Sequence, residues 1–446
     1  MHTWYETAVF YHMYPLGMTG APKRNENGTA GSRFQELNRW IPHIRELNCS
    51  AIYIGPLFES ASHGYDTRDY RLVDRRLGTN EDFKNFVSLC HENGIRVVVD
   101  GVFNHTGREF FAFRDIQEKR ENSPYRDWYK GVTFGWGSPL GDSFGYESWH
   151  GIWELPCLNH QNPEVRRYFL DTVRFWAEEF DIDGIRLDCA NVLDFQFMRE
   201  LRQLANTLKP EFWLMGEVIH GEYGRWVNDQ LLHSVTNYEM HKSIYSAHND
   251  HNYFELAHNV RRLEAVGRKL YTFADNHDED RIASKLNNKA HLFPLYTLLY
   301  TLPGIPSVYY GSEWAIEGRR SRDSDEVLRP AIDSSEAAAR ECPLTRHITS
   351  LGRIHRAEDA LHGGLYKELL LTTRQYAFAR LGDGSAILTA ANNDDSPARL
   401  SVPLPISTAK NEWSDLLTGR TFSREQNQII IQLEGNDAVI LRITEG

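Results

Sequence analysis

Between residues 8 and 313 the chain alternates short runs of β-branched and aromatic residues with longer stretches whose apolar positions recur every three or four residues. The short runs are Ala8–Tyr14, Ala51–Phe58, Arg96–Phe103, Gly184–Asp188, Phe212–Val218, Ser234–Tyr238, Tyr271–Ala274 and Pro306–Tyr310. Helical spacing holds over Phe34–Leu47, Asn80–Asn93, Pro163–Phe180 and Phe195–Leu208. Eight strands, mostly separated by helices over about 300 residues, predict an α/β fold closed as a (β/α)8 TIM barrel rather than an open doubly wound sheet. A nucleotide-binding open sheet is disfavoured because no GxGxxG turn follows the first strand. The longest apolar stretch, 291–310, is broken by Pro294, Pro303, Gly304 and Pro306, so it predicts a helix and a buried strand, not a membrane span.

Two regions leave this rhythm. Residues 106–155 show no clean helical period, and twelve of these fifty are aromatic, twice the chain-wide 12%. They predict an insertion at the C-terminal rim of the barrel, where long connections carry function. About half of its aromatics are expected to pack the insertion's own core; Trp128, Trp136 and Trp149 suit either that core or a ligand. Beyond Ala357, strand-like runs at Tyr366–Leu371, Gln375–Leu381, Ser385–Ala391, Ala398–Leu404, Gln428–Leu433 and Asp437–Ile443 predict an antiparallel β-sandwich. The expected division is a barrel domain over 1–105 and 156–360, an insertion domain over 106–155 and a C-terminal β-domain over 361–446.

Composition narrows the partners. The 446 residues carry 49 Lys and Arg against 61 Asp and Glu, a formal charge of −12, which disfavours nucleic acid and acidic membranes. Cys49, Cys90, Cys157, Cys189 and Cys342 are odd in number and lack zinc-site spacing. The first residues show no basic and apolar signal segment. Together these features predict a reduced, cytoplasmic protein.

In a barrel the polar residues at the C-terminal strand ends are the catalytic candidates. Strand three ends in Asp100-Gly-Val-Phe-Asn104-His105, strand four in Arg186-Leu-Asp188, strand five in Gly216-Glu217, and strand seven in Asp275-Asn-His277-Asp278. Any one such Asp alone reads more simply as a loop acid or a helix cap, but five charged groups at successive strand ends point to a shared site. Two carboxylates, one ionised and one protonated, suit glycoside hydrolysis. Arg186 lies two residues before Asp188, on the same side of the strand, and is expected to hold it ionised, while crowding is expected to leave Glu217 protonated. A metal site built from the same acids and histidines is the competing chemistry.

At these residues the sequence resembles the α-amylase superfamily, glycoside hydrolase family 13. Four blocks carry the resemblance in order: DGVFNH at Asp100–His105, GIRLD at Gly184–Asp188, GEV at Gly216–Val218, and NHD at Asn276–Asp278. It implies the same barrel, insertion and C-terminal β-domain. It also implies Asp188 as nucleophile, Glu217 as general acid/base and Asp278 as a third acid. Arg186 would stand beside the nucleophile, His105 and His277 would contact the sugar at the cleaved bond, and Tyr65 would stack on it. Asp100 and Asn104 match architectural positions. The reaction implied is retaining cleavage of α-1,4-glucosidic bonds through a covalent glucosyl-Asp intermediate.

Within that family the chain looks like the cyclomaltodextrinase, neopullulanase and maltogenic amylase group, through Leu155-Pro-Cys-Leu-Asn159, Asp66-Thr-Arg-Asp-Tyr70 and Asn191. The implied substrate is a short maltooligosaccharide or a cyclodextrin, with no cofactor. That group usually carries an extra N-terminal β-domain used in dimerisation, whereas the first strand here begins near residue 8, so the oligomeric state is open. Val192 stands where relatives carry Glu or His, and with Ile219 it gives an apolar acceptor side that would suit an α-glucan transglycosylase using the same residues. The calcium loop of related glucosidases is not recognisable in Gly20–Gly31; Asn104 matches an amylase Ca²⁺ ligand, but Val192 in place of His counts against a Ca²⁺ there. The intact acids argue against a catalytically dead binding subunit. Arg319, Arg320, Asp323 and Arg329 are expected to form a solvated charged loop, with a sugar-binding role as the alternative.

Overall fold

The computed structural model describes residues 2–445 except 27, 29, 30 and 323. Eight parallel strands form one sheet: β1 (Phe10–Met13), β2 (Ala51–Ile54), β3 (Arg96–Gly101), β4 (Gly184–Leu187), β5 (Trp213–Gly216), β6 (Ser234–Val235), β7 (Tyr271–Phe273) and β8 (Ile305–Tyr309). Their order is β6-β5-β4-β3-β2-β1-β8-β7. A parallel bridge between Thr236 and Tyr271, with Asn237 N–H donating to Tyr271 O at 2.8 Å, draws the two edges together and makes the sheet a barrel.

Because strand side chains alternate, residues two apart share the barrel interior. Phe10, Tyr53, Val98, Trp213, Met215, Tyr271, Phe273 and Ile305 pack there, with the Phe10 and Trp213 rings stacked at 5.0 Å. The other register (Val9, Tyr11, Ile52, Ile54, Val97, Val99, Ile185, Leu214) is buried in the larger core that includes the apolar faces of the surrounding helices. Those helices start where their sequences supply caps. Thr79 and Asp82 form a capping box for Asn80–Glu92, Asn162 caps Pro163–Phe180, and Asp194 caps Phe195–Leu208. Each cap satisfies a backbone N–H left free at a helix start.

Three elements differ from the sequence expectation. The insertion holds a helix, Phe111–Lys119, built on buried Ala112, Phe113 and Ile116. The expected strand Ser234–Tyr238 stops at Val235; Asn237 then caps a helix over Tyr238–Asn249 by accepting from Met240 N–H. The C-terminal region has eight strands, not six. β9 (Leu365–Leu371), β10 (Gln375–Gly382), β11 (Ser385–Asn392) and β16 (Asp437–Thr444) make one sheet; β12 (Ala398–Pro403), β15 (Gln428–Leu433), β14 (Thr421–Glu425) and β13 (Glu412–Ser414) make the other. Leu388, Val402, Ile429, Ile431 and Leu441 join the two sheets in one core. The two added strands each bury a single aromatic, Trp413 and Phe422, too little pattern to read as strands. Among the described residues no helix is long and apolar enough to cross a membrane.

Candidate active site

The register of the barrel assembles the site. Asp100 pairs with Arg186 across β3 and β4. Beyond the strand ends the ladder continues, with Asp188 N–H on Gly101 O at 3.1 Å and Glu217 N–H on Leu187 O at 2.9 Å. Asp100, Arg186, Asp188 and Glu217 therefore converge. The Arg186 guanidinium donates from Nη1 to Asp100 Oδ1 at 2.9 Å and to Asp188 Oδ1 at 2.8 Å, and from Nη2 to Glu217 Oε2 at 2.9 Å. Asp188 and Glu217 are 6% and 7% exposed, so these bonds lie largely out of water. Their closest carboxylate oxygens fall within 4.8 Å of one another.

Three buried carboxylates against one guanidinium leave negative charge in excess. Burial pushes Asp188 up to about 7, with repulsion from Glu217 and Asp100 adding to it and Arg186 opposing. At Asp188 burial and the two neighbouring carboxylates thus outweigh Arg186, which serves three acids at once.

The third acid is held differently. Asp278 sits after β7, where Arg329 Nη2 donates to its Oδ1 at 2.8 Å and His277 Nε2 lies 3.1 Å from its Oδ2. Burial pulls its carboxyl upward, but His277 and Arg329 outweigh it and hold it well below the usual carboxylate range. Arg329 also donates to His277 O at 3.1 Å, bridges to Asp325 at 2.6 Å and lies over the Tyr14 ring at 4.5 Å. Of the four loop residues, Arg319 and Arg320 are solvated as expected and Asp323 lies outside the described residues. Arg329 is the exception: Asp278 and Asp325 hold its side chain mostly out of water.

Tyr65 stands at the end of the loop after β2. Its hydroxyl is 3.2 Å from Asp100 Oδ2 and 2.5 Å from His277 Nε2, and its ring stacks on His277 at 5.7 Å. The preceding Gly64 has φ +96° and any Cβ there would lie 2.7 Å from Pro56 Cγ, so only glycine lets the chain deliver Tyr65. His105 is buried with its Nε2 unpartnered; burial holds it down to about 3, a neutral imidazole. Trp149 stacks against His105 at 6.1 Å, whereas Trp128 is buried in the insertion and Trp136 is 52% exposed. Asp275 points elsewhere, accepting from Ile282 N–H and Ser312 Oγ.

Sequence reasoning missed two side chains. His12, at the end of β1, lies against the Tyr53 ring at 4.3 Å and the His277 ring at 5.2 Å. Its position two residues after inward-facing Phe10 was the available signal. Tyr238, the first residue of the helix after β6, donates its hydroxyl to Glu217 Oε1 at 3.3 Å; reading it as strand concealed it.

The donor atoms of Asp188, Cys189 and Glu217 are close enough together for a cation. A thiol does not suit a hard ion such as Ca²⁺, and Arg186 already bonds both carboxylates. Asn104 is buried, with its Nδ2 3.2 Å from His105 Nδ1. The Gly20–Gly31 loop lies partly outside the described residues.

A parallel barrel with paired acids on one guanidinium at its C-terminal mouth is the framework of a glycoside hydrolase. The family description "Alpha amylase, catalytic domain" matches residues 23–346, and the chain belongs to that family. It is 29% identical to a cyclomaltodextrinase of Thermoanaerobacter pseudethanolicus, over 98% of this chain and 78% of that one. It is 33% identical to a maltogenic alpha-amylase of Bacillus acidopullulyticus, over 96% and 77%. A solved structure named cyclomaltodextrinase superposes with a TM-score of 0.87 at 27% identity, covering 98% of this chain and 78% of the other. It is an α-glucan-active glycoside hydrolase of the α-amylase family.

Proposed function

We propose that the protein is a retaining hydrolase of α-1,4 bonds in short maltooligosaccharides or cyclodextrins. The observation that carries this is the separation of Asp188 and Glu217, whose nearest oxygens lie within 4.8 Å. Retaining enzymes hold their carboxyls roughly 5–5.5 Å apart, whereas inverting enzymes need roughly 6.5–9.5 Å to admit a water. The substrate class rests on similarity to the cyclomaltodextrinase and the maltogenic amylase.

In this mechanism Glu217 enters the reactive complex protonated and gives its proton to the glycosidic oxygen as that bond breaks. Asp188 bonds to the anomeric carbon, and the resulting ester is opened by water deprotonated by Glu217. Asp278, kept ionised by Arg329 and His277, accepts hydrogen bonds from hydroxyls of the distorted sugar. Tyr65, His105 and Trp149 supply its aromatic walls. No metal takes part in these steps. Five unpaired thiols favour a cytoplasmic setting.

A second reading, transfer to another sugar, is favoured by Val192 and Ile219, apolar and 42% and 40% exposed. A proton NMR time course with maltotetraose and with a cyclodextrin separates the two. Reducing ends appearing first as the α-anomer establish retaining hydrolysis. Redistributed chain lengths without new reducing ends establish transfer, and a β-anomer overturns both.

A further inference from the structure

Residue 189 immediately follows the proposed nucleophile and holds both site acids. Its backbone N–H donates to Glu217 Oε2 at 3.1 Å, and its thiol donates to Asp188 Oδ2 at 3.1 Å. The residue has φ +50°, which turns the chain back over the strand end and brings Sγ beside the carboxylate that precedes it. Asp188 Oδ1 is taken by Arg186. Oδ2 is therefore the oxygen without a charged partner, and among the described side chains the thiol is its donor. Cys189 is itself only 9% exposed.

A thiol is a poor hydrogen-bond donor compared with a hydroxyl. On the oxygen that must leave its hydrogen bond to form a covalent bond, that weakness matters. A strong donor would stabilise the free carboxylate more than the partly bonded one and so slow attack. No donor would leave the carboxylate free to turn about Arg186.

We propose, on the retaining mechanism above, that Cys189 is a positioning residue whose thiol fixes Oδ2 of Asp188 with one weak hydrogen bond that is surrendered as that oxygen bonds to the anomeric carbon. The bond formed is Asp188 Oδ2–C1 and the bond broken is C1 to the glycosidic oxygen, which takes the proton of Glu217. The thiol keeps its own proton throughout, since burial and Asp188 push it far up. The charged and titratable groups facing Asp188 are Asp100 on β3, Arg186 on its own strand and Glu217 after β5, with the Tyr70 phenol further off.

The test compares wild type with Cys189→Ala and Cys189→Ser, two L-residues under the same backbone demand at φ +50°. Unchanged melting temperatures control for folding. With maltotetraose, the serine hydroxyl, a stronger donor to the charged form, should lower the acid limb of the kcat/KM profile by about half a pH unit or more and lower kcat with KM nearly constant. Alanine should raise that limb, by about half a unit or less, and cost kcat a few-fold through lost orientation. Opposite movement of the two limbs is the expected result, because a packing role alone would not order them by donor strength. Limbs that move together or stay fixed overturn the proposal. Carbon-13 titration of the carboxyl assigned through Asp188→Asn needs no turnover. It decides the role of Cys189 even if wild type cleaves no glucan, which would instead sink the functional reading.

Discussion

Arg186→Met removes the one cation shared by Asp100, Asp188 and Glu217 while keeping a side chain of similar length. An Arg neighbour depresses a carboxyl by about 1–3 pH units, so its loss should lift Asp188 from about 7 to about 9. At pH 7 that leaves about one Asp188 in a hundred ionised against one in two, roughly a fifty-fold loss before any misorientation is counted. The assay is kcat/KM for maltotetraose from pH 5 to 9. The variant should fall at least fifty-fold at pH 7 and regain about tenfold per pH unit up to pH 9. Stability follows the same charge balance: breaking a buried ion cluster costs about 3–5 kcal/mol when its acids are ionised. Carboxyls raised in the folded state above their unfolded values stabilise it below the unfolded pKa. They lose that stabilisation as pH climbs through the folded one. Denaturant unfolding should accordingly show a gap to wild type that widens from pH 5 to pH 9. A uniform loss of activity, with a pH profile parallel to wild type, would refute the claim that Arg186 sets the charge of Asp188.

Asp188→Ala should lower turnover by about a thousandfold or more with binding retained by calorimetry; residual activity within tenfold of wild type sinks the nucleophile assignment. Asp188→Asn should melt above wild type at pH 8, where wild type pays for a buried ionised Asp188. The advantage should vanish as pH falls through about 7 and Asp188 takes up its proton. Arg329→Leu strips Asp278 of a 2.8 Å charge-assisted bond and should cost kcat/KM about tenfold or more, mostly at low pH, because Asp278 then protonates more readily. A flat loss across pH would leave Arg329 a merely structural residue. Tyr65→Phe removes bonds to Asp100 and His277 and should cost about 1 kcal/mol, a several-fold fall in kcat/KM measured at pH 7.

The barrel was legible in the sequence because its strands are apolar on both faces and its helices carry periodicity, with caps at Thr79, Asn162 and Asp194. Asp100, Arg186, Asp188 and Glu217 could be placed for the same reason, since the period of two puts them on the inner register, whereas Asp278 lies an odd step beyond Phe273 and was placed by its position after the strand end. The helix Tyr238–Asn249 was hidden by the residues that bury it. His241, Ser243 and His248 occupy core-facing positions, made tolerable by bonds to Ala274 O, Glu239 O and Ile244 O, so the apolar stripe that would announce a helix is polar in sequence. Tyr238, at its start, was lost with it. Arg329 failed for a complementary reason. Amid charged and exposed neighbours its composition is that of a solvated loop, and only the three-dimensional approach of Asp278, beside the local partner Asp325, converts it into a half-buried clamp. The excess charge on Asp188 was likewise invisible. A strand register read one strand at a time gives Arg186 one carboxylate partner, whereas lateral pairing of β3, β4 and β5 gives it three. Local pattern thus placed the groups that a strand's own geometry delivers, while electrostatic balance, which depends on what neighbouring strands bring to the same point, required the folded chain.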